Sequence, residues 1–434
     1  MEKILKTIFY EWKERKLPEI IRREKDLKEY LRVKPQKIIA ITGFRRIGKT
    51  YLILQLIKEL LEKKDREGVV YVNFEDERIP LRTEILTDLL PTIKQTFQKL
   101  PEILFLDEIQ EIPGWSKWMR RIYDEERIKI FVTGSSSKMS SREIPTELRG
   151  RCLEIKVSPL SFKEFLKFKS IKINFEAASY SENEKAKVSK ALEEYLLYGG
   201  MPEVVLTSAE RKIEILQGYY RTVIRRDISQ RFKIKNEEGL KALLLLILNS
   251  TSYSITKLYN TLKSLNYKIG KTTLLNYLSY IENSYFMESV FIFSYKIKDQ
   301  LQYPRKIYFI DNGFITALST KFSKDFGRLY ENLVFQELKR RADYQTEIFY
   351  WKNRAGREVD FVLREQSKIT RLIQVCYDIN DPVTRDREIK ALLMASKELK
   401  CDDLMIINQD IDRAEKIKMK EIKFIPLWRW LMEQ

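Results

Sequence analysis

The 434-residue chain contains no histidine, and this absence removes several classes of function at once. Neither a Ser-His-Asp nor a Cys-His catalytic arrangement can be built, and no metal site can use an imidazole ligand. The three cysteines, Cys152, Cys376 and Cys401, lie too far apart in sequence for a Cys-x-x-Cys zinc or redox motif. We therefore expect no disulfide framework, which is typical of a protein from a reducing cytoplasm.

Long apolar runs are missing as well. The longest, residues 242–248, is far too short to cross a bilayer as a helix. The first sixteen residues lack the uninterrupted apolar stretch of a secretion signal. We therefore predict a cytoplasmic protein with no membrane partner.

Positive charge is in excess. Lysine and arginine total 80 against 62 acidic residues, which gives a net charge of +18 and a pI of about 9.4. Two explanations stay open: a polyanionic partner, with nucleic acid first, or the lysine-rich surface of a thermophile protein. The length allows two to four domains, and a hydrophobic content of 44% can build their cores.

Residues 43–50 read G-F-R-R-I-G-K-T and fit the phosphate-binding loop pattern G-x-x-x-x-G-K-[ST]. Residues 37–42 predict a buried strand before the loop, and residues 51–61 predict a helix after it. The pattern assigns Lys49 to the phosphate oxygens and Thr50 to Mg²⁺. The predicted nucleotide-binding residues are Gly43, Phe44, Arg45, Arg46, Ile47, Gly48, Lys49, Thr50 and Tyr51.

A second acidic site appears where the apolar residues 103–106 end in Asp107 and Glu108. We expect Asp107 to hold the magnesium through water and Glu108 to polarise the attacking water. The strand predicted at 128–133 ends in a polar turn, where Thr133 or Ser135 is the candidate that senses the γ-phosphate. A simple turn at the end of a strand explains these last two residues equally well.

Phosphoryl transfer needs positive charge beyond Lys49. Arg149 and Arg151 follow the polar turn and are candidates for an arginine finger, with Arg151 as the predicted catalytic residue. Arg45 and Arg46 lie inside the loop itself. Ordinary surface arginines remain the alternative explanation in a chain this basic.

The rest of the chain divides by its periodicity. Three short helices and a strand in residues 236–300 suggest a winged helix-turn-helix with a recognition helix at 271–280. Lys271, Thr272, Thr273 and Asn276 would then contact DNA, although winged helices also serve as protein-contact modules. The predicted domains are N-terminal helices 1–34, an ATPase core 35–165, a helical lid 166–235, the winged helix 236–300 and a C-terminal α/β domain 301–434. The C-terminal order of helix, three strands, helix and strand is that of restriction-endonuclease-like folds.

Nearly the whole chain resembles the prokaryotic AAA-type ATPases (the AAA_14 family) that carry a DUF4143 nuclease-like domain. The blocks that carry this resemblance are residues 43–50, 71–77, 106–110, 132–135, 150–151, 159–165, 199–203, 226–228, 331–334, 358–361 and 374–375. The resemblance implies an α/β protein with an AAA+ (ASCE-like) parallel sheet, ATP and Mg²⁺ as cofactors, and a possible homo-oligomer. In such an oligomer the arginine finger would come from a neighbouring subunit.

The implied nuclease-like site departs from the active PD-(D/E)XK pattern. Glu331 matches the helix acid and Asp360 the first-strand acid, but Gln374 and Cys376 stand where an acid and a lysine are needed. A neutral amide is a poor Mg²⁺ ligand, and a thiol cannot replace an ammonium group. Glu358 shares a strand face with Asp360 and offers a further carboxylate. We expect a vestigial site.

These observations favour a Mg²⁺-dependent ATPase coupled to a macromolecule, with DNA as the first choice. Two rival functions stay open. One is a slow nucleotide-dependent switch that acts on a protein partner and retains ADP. The other is a metal-dependent nuclease that ATP regulates.

Overall fold

A computed structural model describes residues 1–134, 148–319 and 325–433. The chain forms two compact units, Met1–Ser158 with Asn283–Tyr285, and Pro159–Glu282 with Phe286–Gln434. The first unit contains one sheet and the second contains two, and we describe the units in turn.

The first unit is built on a parallel sheet. Its helices and strands are α1 Glu2–Glu14, β1 Ile38–Thr42, α2 Lys49–Leu60, β2 Val69–Asn73, α3 Glu84–Phe97, β3 Ile103–Asp107, α4 Trp115–Glu125, β4 Lys129–Gly134 and β5 Cys152–Lys156. Five strands pair in the order β2-β3-β4-β1-β5, and every pair is parallel. Strand β4 therefore separates β1 from β3.

The strand sequences explain why this sheet forms. A parallel sheet covered on both faces needs strands that are apolar on both sides, and every residue of β1, β3 and β4 is buried. Phe105 and Phe131 stack across the sheet with ring centroids 5.0 Å apart. Because parallel strands end at the same edge, the residues after β1, β3 and β4 are brought together there.

The second unit is larger and mixed. Its helices are α5 Phe162–Phe168, α6 Glu182–Tyr198, α7 Pro202–Leu206, α8 Ala209–Thr222, α9 Glu237–Leu248, α10 Ile255–Ser264, α11 Lys271–Asn283, α12 Ile297–Gln302, α13 Asn312–Leu318, α14 Phe326–Arg341, α15 Pro382–Leu399 and α16 Leu427–Met432. Its strands are β6 Ser252–Tyr253, β7 Met287–Val290, β8 Arg305–Phe309, β9 Thr346–Lys352, β10 Glu358–Glu365, β11 Lys368–Val375, β12 Leu404–Asn408, β13 Arg413–Ile417 and β14 Lys420–Pro426.

Two sheets organise this unit. A small antiparallel sheet has the order β6-β8-β7, and a six-stranded mixed sheet has the order β13-β14-β12-β11-β10-β9. Strands β11, β12 and β14 run parallel, whereas β9, β10 and β13 are antiparallel to their neighbours. The predicted α/β class, with a parallel P-loop sheet and a separate C-terminal sheet, is confirmed.

Several details differ from the sequence prediction. The strand predicted after the three short helices within residues 236–300 is only Met287–Val290. The predicted helical lid at 166–235 includes a 3₁₀ turn at Ala177–Ser179. Helix α8 continues as a π-helix over Val223–Gln230. Across the described ranges, none of the helices combines the length and apolar character that a bilayer crossing requires.

Candidate functional site

The loop between β1 and α2 depends on two glycines in the left-handed half of conformational space. Gly43 has φ +143° and Gly48 has φ +94°. A Cβ atom on Gly43 would lie 2.6 Å from the backbone oxygen of Val157, so only glycine fits there. Helix α2 begins at Lys49, which leaves its N-terminal N–H groups facing the loop.

The side chain of Lys49 reaches back into the loop that precedes α2. Its buried ammonium donates to the carbonyl oxygens of Gly43 and Phe44, both at 3.2 Å, and lies 4.0 Å from Oε1 of Glu108. These are weak, exchangeable contacts around a desolvated positive charge. The arrangement suits an anion that enters the loop, because phosphate oxygens would be stronger partners than carbonyls.

The other loop residues divide by burial. The side chains of Phe44 and Ile47 are fully buried and anchor the loop to the core, so only their backbones can face a ligand. Arg45 lies 3.7 Å from a carboxylate oxygen of Glu75. The side chains of Arg46 and Tyr51 are exposed.

Asp107, the last residue of β3, is buried and held by three hydroxyl groups. Tyr71 donates to its Oδ2 at 2.8 Å, Thr133 donates to its Oδ1, and Thr50 forms a further side-chain hydrogen bond. Burial raises the pKa of Asp107, while the bonds from Thr133 and Tyr71 act in the opposite direction. The hydroxyl of Thr50 and the carboxylate of Asp107 thus form an adjacent pair of oxygen ligands, which fits Mg²⁺.

Glu108 adopts φ +53°, a conformation that non-glycine residues rarely take outside functional sites and turns. Its backbone N–H donates to the hydroxyl of Thr133 at 2.9 Å. One carboxylate oxygen accepts a hydrogen bond from the amide of Gln110, and the other faces Lys49. Thr133 therefore links both acids, and Gln110 fixes the orientation of the second.

Arg151 does not reach this edge of the sheet. Its carbonyl accepts from the N–H of Ile38 at the start of β1, whereas the loop follows the end of β1, roughly 16 Å away at 3.3 Å per residue. Its guanidinium pairs with Asp124 at 3.0 and 3.2 Å. The prediction that Arg151 is catalytic therefore fails for the nucleotide of its own chain, and only donation to a neighbouring subunit stays a prediction. Arg149 is exposed beside it, and Ser135 lies outside the described residues.

Arg23 contacts the loop and was not anticipated from the sequence. Its guanidinium donates to the carbonyl oxygens of Ile47 at 3.2 Å and Ser158 at 2.9 Å. Its backbone N–H donates to the side chain of Gln55 in α2 at 2.8 Å. The segment before β1 thus braces the loop, and no local sequence pattern marks such a long-range contact.

The residues predicted to contact DNA lie on α11. Lys271, Thr272 and Asn276 are exposed and Thr273 is half-buried, so all four reach the surface of this helix. The ammonium of Lys271 lies 5.4 Å from the ring centroid of Tyr259. Their availability to a ligand is consistent with the prediction and does not test it.

The predicted nuclease-like acids do come together. Glu331 on α14 and Glu358 and Asp360 on β10 all contact the ammonium of Lys306 on β8. Gln374 instead turns toward α15, where its amide donates to Glu388 at 2.7 Å. The sequence did not predict the role of Lys306, because Lys306 precedes Glu331 by 25 positions and lies in a different sheet from Glu358 and Asp360.

Three family models match consecutive parts of the chain. A family model described as an AAA domain (AAA_14) matches residues 35–166. Two domains of unknown function follow, DUF8612 at residues 189–325 and DUF4143 at residues 326–430.

Relatives match over most of their length. The uncharacterized protein MJ1544 of Methanocaldococcus jannaschii is 40% identical over 427 residues, which cover 95% of this chain and 92% of that protein. An uncharacterized protein of Haemophilus influenzae is 30% identical over 370 residues, 83% of this chain and 88% of its own. Among solved structures, the Walker-type ATPase PABY2304 of Pyrococcus abyssi aligns with a TM-score of 0.48 at 17% identity, over 70% of this chain and 99% of that one.

Proposed function

The chain belongs to the AAA-domain family that includes MJ1544, with a DUF4143 domain at its C-terminal end, and on that premise we propose that it is a Mg²⁺-dependent ATPase. The observation that carries this proposal is the meeting of Lys49, Thr50, Asp107 and Glu108 at one edge of the parallel sheet. Lys49 and Thr50 follow β1, whereas Asp107 ends β3 and Glu108 comes directly after it, so chain order alone does not bring them together.

Each residue has a role that its surroundings support. The loop N–H groups and Lys49 bind the phosphates of ATP, and the hydroxyl of Thr50 with the carboxylate of Asp107 holds Mg²⁺. The metal would neutralise charge on the phosphate oxygens. Glu108 accepts a proton from the attacking water, because its carboxylate is the acidic group beside Lys49 that is not committed to the metal pair. Thr133 fixes the positions of Asp107 and Glu108 relative to each other through its two hydrogen bonds.

We further propose that DNA is the macromolecular partner. The net charge of +18 favours a polyanion. The helices α9, α10 and α11 with the sheet order β6-β8-β7 support a winged helix that presents α11 outward. Lys271, Thr272 and Asn276 are the exposed side chains that would meet the phosphate backbone or the bases.

Nucleotide binding by the variant Lys49→Ala tests the enzymatic proposal. We expect its affinity for a fluorescent ATP analogue to fall at least tenfold and its turnover to disappear, because the buried ammonium is the principal charge in the loop. Lys58→Ala is the matched control, since Lys58 is exposed at the other end of the same helix. Unchanged binding and turnover in Lys49→Ala would overturn the proposal.

A further inference from the structure

Lys306 occupies the centre of the acidic cluster in the C-terminal part of the chain. Its Nζ lies 2.8 Å from Oε1 of Glu331, 2.8 Å from Oε1 of Glu358 and 2.7 Å from Oδ1 of Asp360. The Lys306 side chain is 7% exposed, so its ammonium has little contact with water. An ammonium group carries three N–H donors, and each one here has a carboxylate oxygen within hydrogen-bond distance.

The spacing of the cluster suits an ammonium group and not a small divalent ion. The three distances are ordinary charge-assisted hydrogen bonds, whereas Mg²⁺ needs oxygens at about 2.0–2.1 Å and Ca²⁺ at about 2.3–2.6 Å. Among the residues that the structure describes, no group of three or more His, Cys, Asp or Glu side chains is placed to hold a metal. A divalent cation therefore does not fit the cluster while Lys306 is present.

The three acids also accept hydrogen bonds from other groups of the protein. Tyr308 donates to Oε1 of Glu331 at 2.6 Å, and Lys352 donates to Oε2 of Glu358 at 2.9 Å. The N–H of Val375 donates to Oδ2 of Asp360 at 2.9 Å. Two ammonium groups thus face three carboxylates, which leaves little excess negative charge to attract a metal ion.

The positions that would complete a metal site are directed elsewhere. Gln374 accepts from the N–H of Asp360 at 3.3 Å and donates to Glu388. The thiol of Cys376 donates to the carbonyl of Asp378 at 3.2 Å, and burial raises its pKa to about 12. Neither side chain supplies a charge to the cluster.

We propose that the ammonium of Lys306 stands in for a divalent cation, so that the three acids form a metal-free ionic latch that joins β8 to α14 and β10. The acids of the nuclease-like site therefore have a structural role. The latch ties the small sheet β6-β8-β7 to the six-stranded sheet through buried charges. This inference is independent of the ATPase proposal, since it uses no residue of the nucleotide site.

Cation binding by the full-length chain tests the latch. The parent protein carries Asp107→Asn and Glu108→Gln, which remove both carboxylates of the nucleotide site, and Lys306→Met is added to it. Terbium is the probe, because its luminescence is sensitised by nearby tyrosines, and Tyr308 touches the cluster. We expect no cluster-dependent emission from the parent, and a gain of emission with Lys306→Met that a further Asp360→Asn abolishes. We also expect Lys306→Met to lower Tm by roughly 10 °C and Mn²⁺ to restore part of that loss.

Lys212→Met in the same parent is the matched control. Lys212 is as deeply buried but pairs with Glu194 in a different place, so its loss should create no cation site. If Lys306→Met does not fold, Glu331→Gln in the parent decides, since the Glu331 side chain is more exposed than that of Asp360 and its replacement should disturb folding less. An unchanged terbium signal in Glu331→Gln supports the latch. Emission from the parent that Glu331→Gln reduces, or Mn²⁺-dependent DNA cleavage that requires Lys306, would overturn it.

Discussion

Gln110 is the residue through which the orientation of Glu108 is set. Its amide donates to one carboxylate oxygen of Glu108 while the other faces Lys49. We expect Gln110→Ala to lower kcat about tenfold with little change in KM, because a mobile carboxylate spends less time aligned with the attacking water.

Steady-state ATP hydrolysis measures kcat and KM. Glu111→Ala is the control, since Glu111 ends the same 3₁₀ turn, Ile109–Glu111. Equal kcat in the wild type and Gln110→Ala would show that the contact has no role in positioning Glu108.

Gly43 is a second residue on which the site depends, because its position accepts only glycine. Alanine would be strained at φ +143°, and its Cβ would press against the backbone oxygen of Val157 at 2.6 Å. We expect Gly43→Ala to weaken binding of a fluorescent nucleotide at least tenfold, since the loop cannot close around phosphates. Gly218→Ala in helix α8 has open space around it and should bind normally, with stability raised by up to about 1 kcal/mol. Normal nucleotide affinity in Gly43→Ala would contradict the loop geometry.

Single residues show where reading the sequence succeeds and where it stops. The phosphate loop and Asp107–Glu108 are local patterns, and their roles follow from the neighbouring strands. Arg23 and Lys306 act through partners that are 24 to 135 and 25 to 54 positions away. Such contacts depend on how the chain folds back on itself, which no local pattern encodes.

Helix α13 begins at a buried carboxylate whose ionisation should affect stability. Asp311 accepts from the N–H groups of Gly200 at 2.7 Å and Gly313 at 2.8 Å. Burial raises the pKa of Asp311 from 3.8 to about 7. Between pH 4 and 7 the folded chain therefore keeps a proton that the unfolded chain has released, so this group makes folding less favourable as pH rises through that window.

Urea unfolding of Asp311→Asn against the wild type measures this linkage. We expect the wild type's free energy of unfolding, relative to the variant's, to fall as pH rises from 4 to 7, by at most about 1.4 kcal/mol per unit, and then to level. Asp381→Asn is a control of opposite sign. A hydrogen bond from Thr384 lowers the pKa of Asp381. The free energy of unfolding of the wild type, relative to that of Asp381→Asn, should therefore rise with pH. A difference for Asp311→Asn that does not change with pH would contradict the assignment.

Whole elements were predicted when their pattern was strong. Helices α2 and α11 and strands β1, β3 and β4 fall within a few residues of the predicted ranges. Strand β5 was missed because it lies at the edge of its sheet, where only Ile155 is buried. The π-helix at Val223–Gln230 was missed because its sequence has ordinary helical periodicity, and one extra residue per turn leaves no local signal.

At the scale of the molecule, the excess positive charge should appear as salt-dependent DNA binding. We expect the affinity for duplex DNA to fall steeply between 50 and 200 mM salt, because bound counterions are released on association. Lys271→Ala should lower the slope of log K against log salt by about one, as the loss of one phosphate contact requires. Lys241→Ala, exposed on α9, should leave the slope unchanged. An affinity for DNA that does not change with salt concentration would indicate that the +18 charge reflects only a lysine-rich surface.

The sequence predicts the overall architecture of the protein more fully than it predicts the function. The order of motifs predicted a parallel P-loop sheet followed by a separate mixed sheet, and both are present. The pairing of Lys306 with the C-terminal acids could not be foreseen, because a sequence does not show which side chain fills a buried charge cluster. The same limit applies to the predicted arginine finger, which would come from another subunit.

The most direct test of the central claim is steady-state ATP hydrolysis by the wild type and Glu108→Gln, with and without duplex DNA. We predict Mg²⁺-dependent turnover that DNA raises, and a loss of about 100-fold or more in Glu108→Gln with ATP binding retained, because the amide cannot accept a proton. Slow turnover that no polymer changes would favour a nucleotide-dependent switch with a protein partner. Equal turnover in the wild type and Glu108→Gln would contradict the assignment of this site as an ATPase.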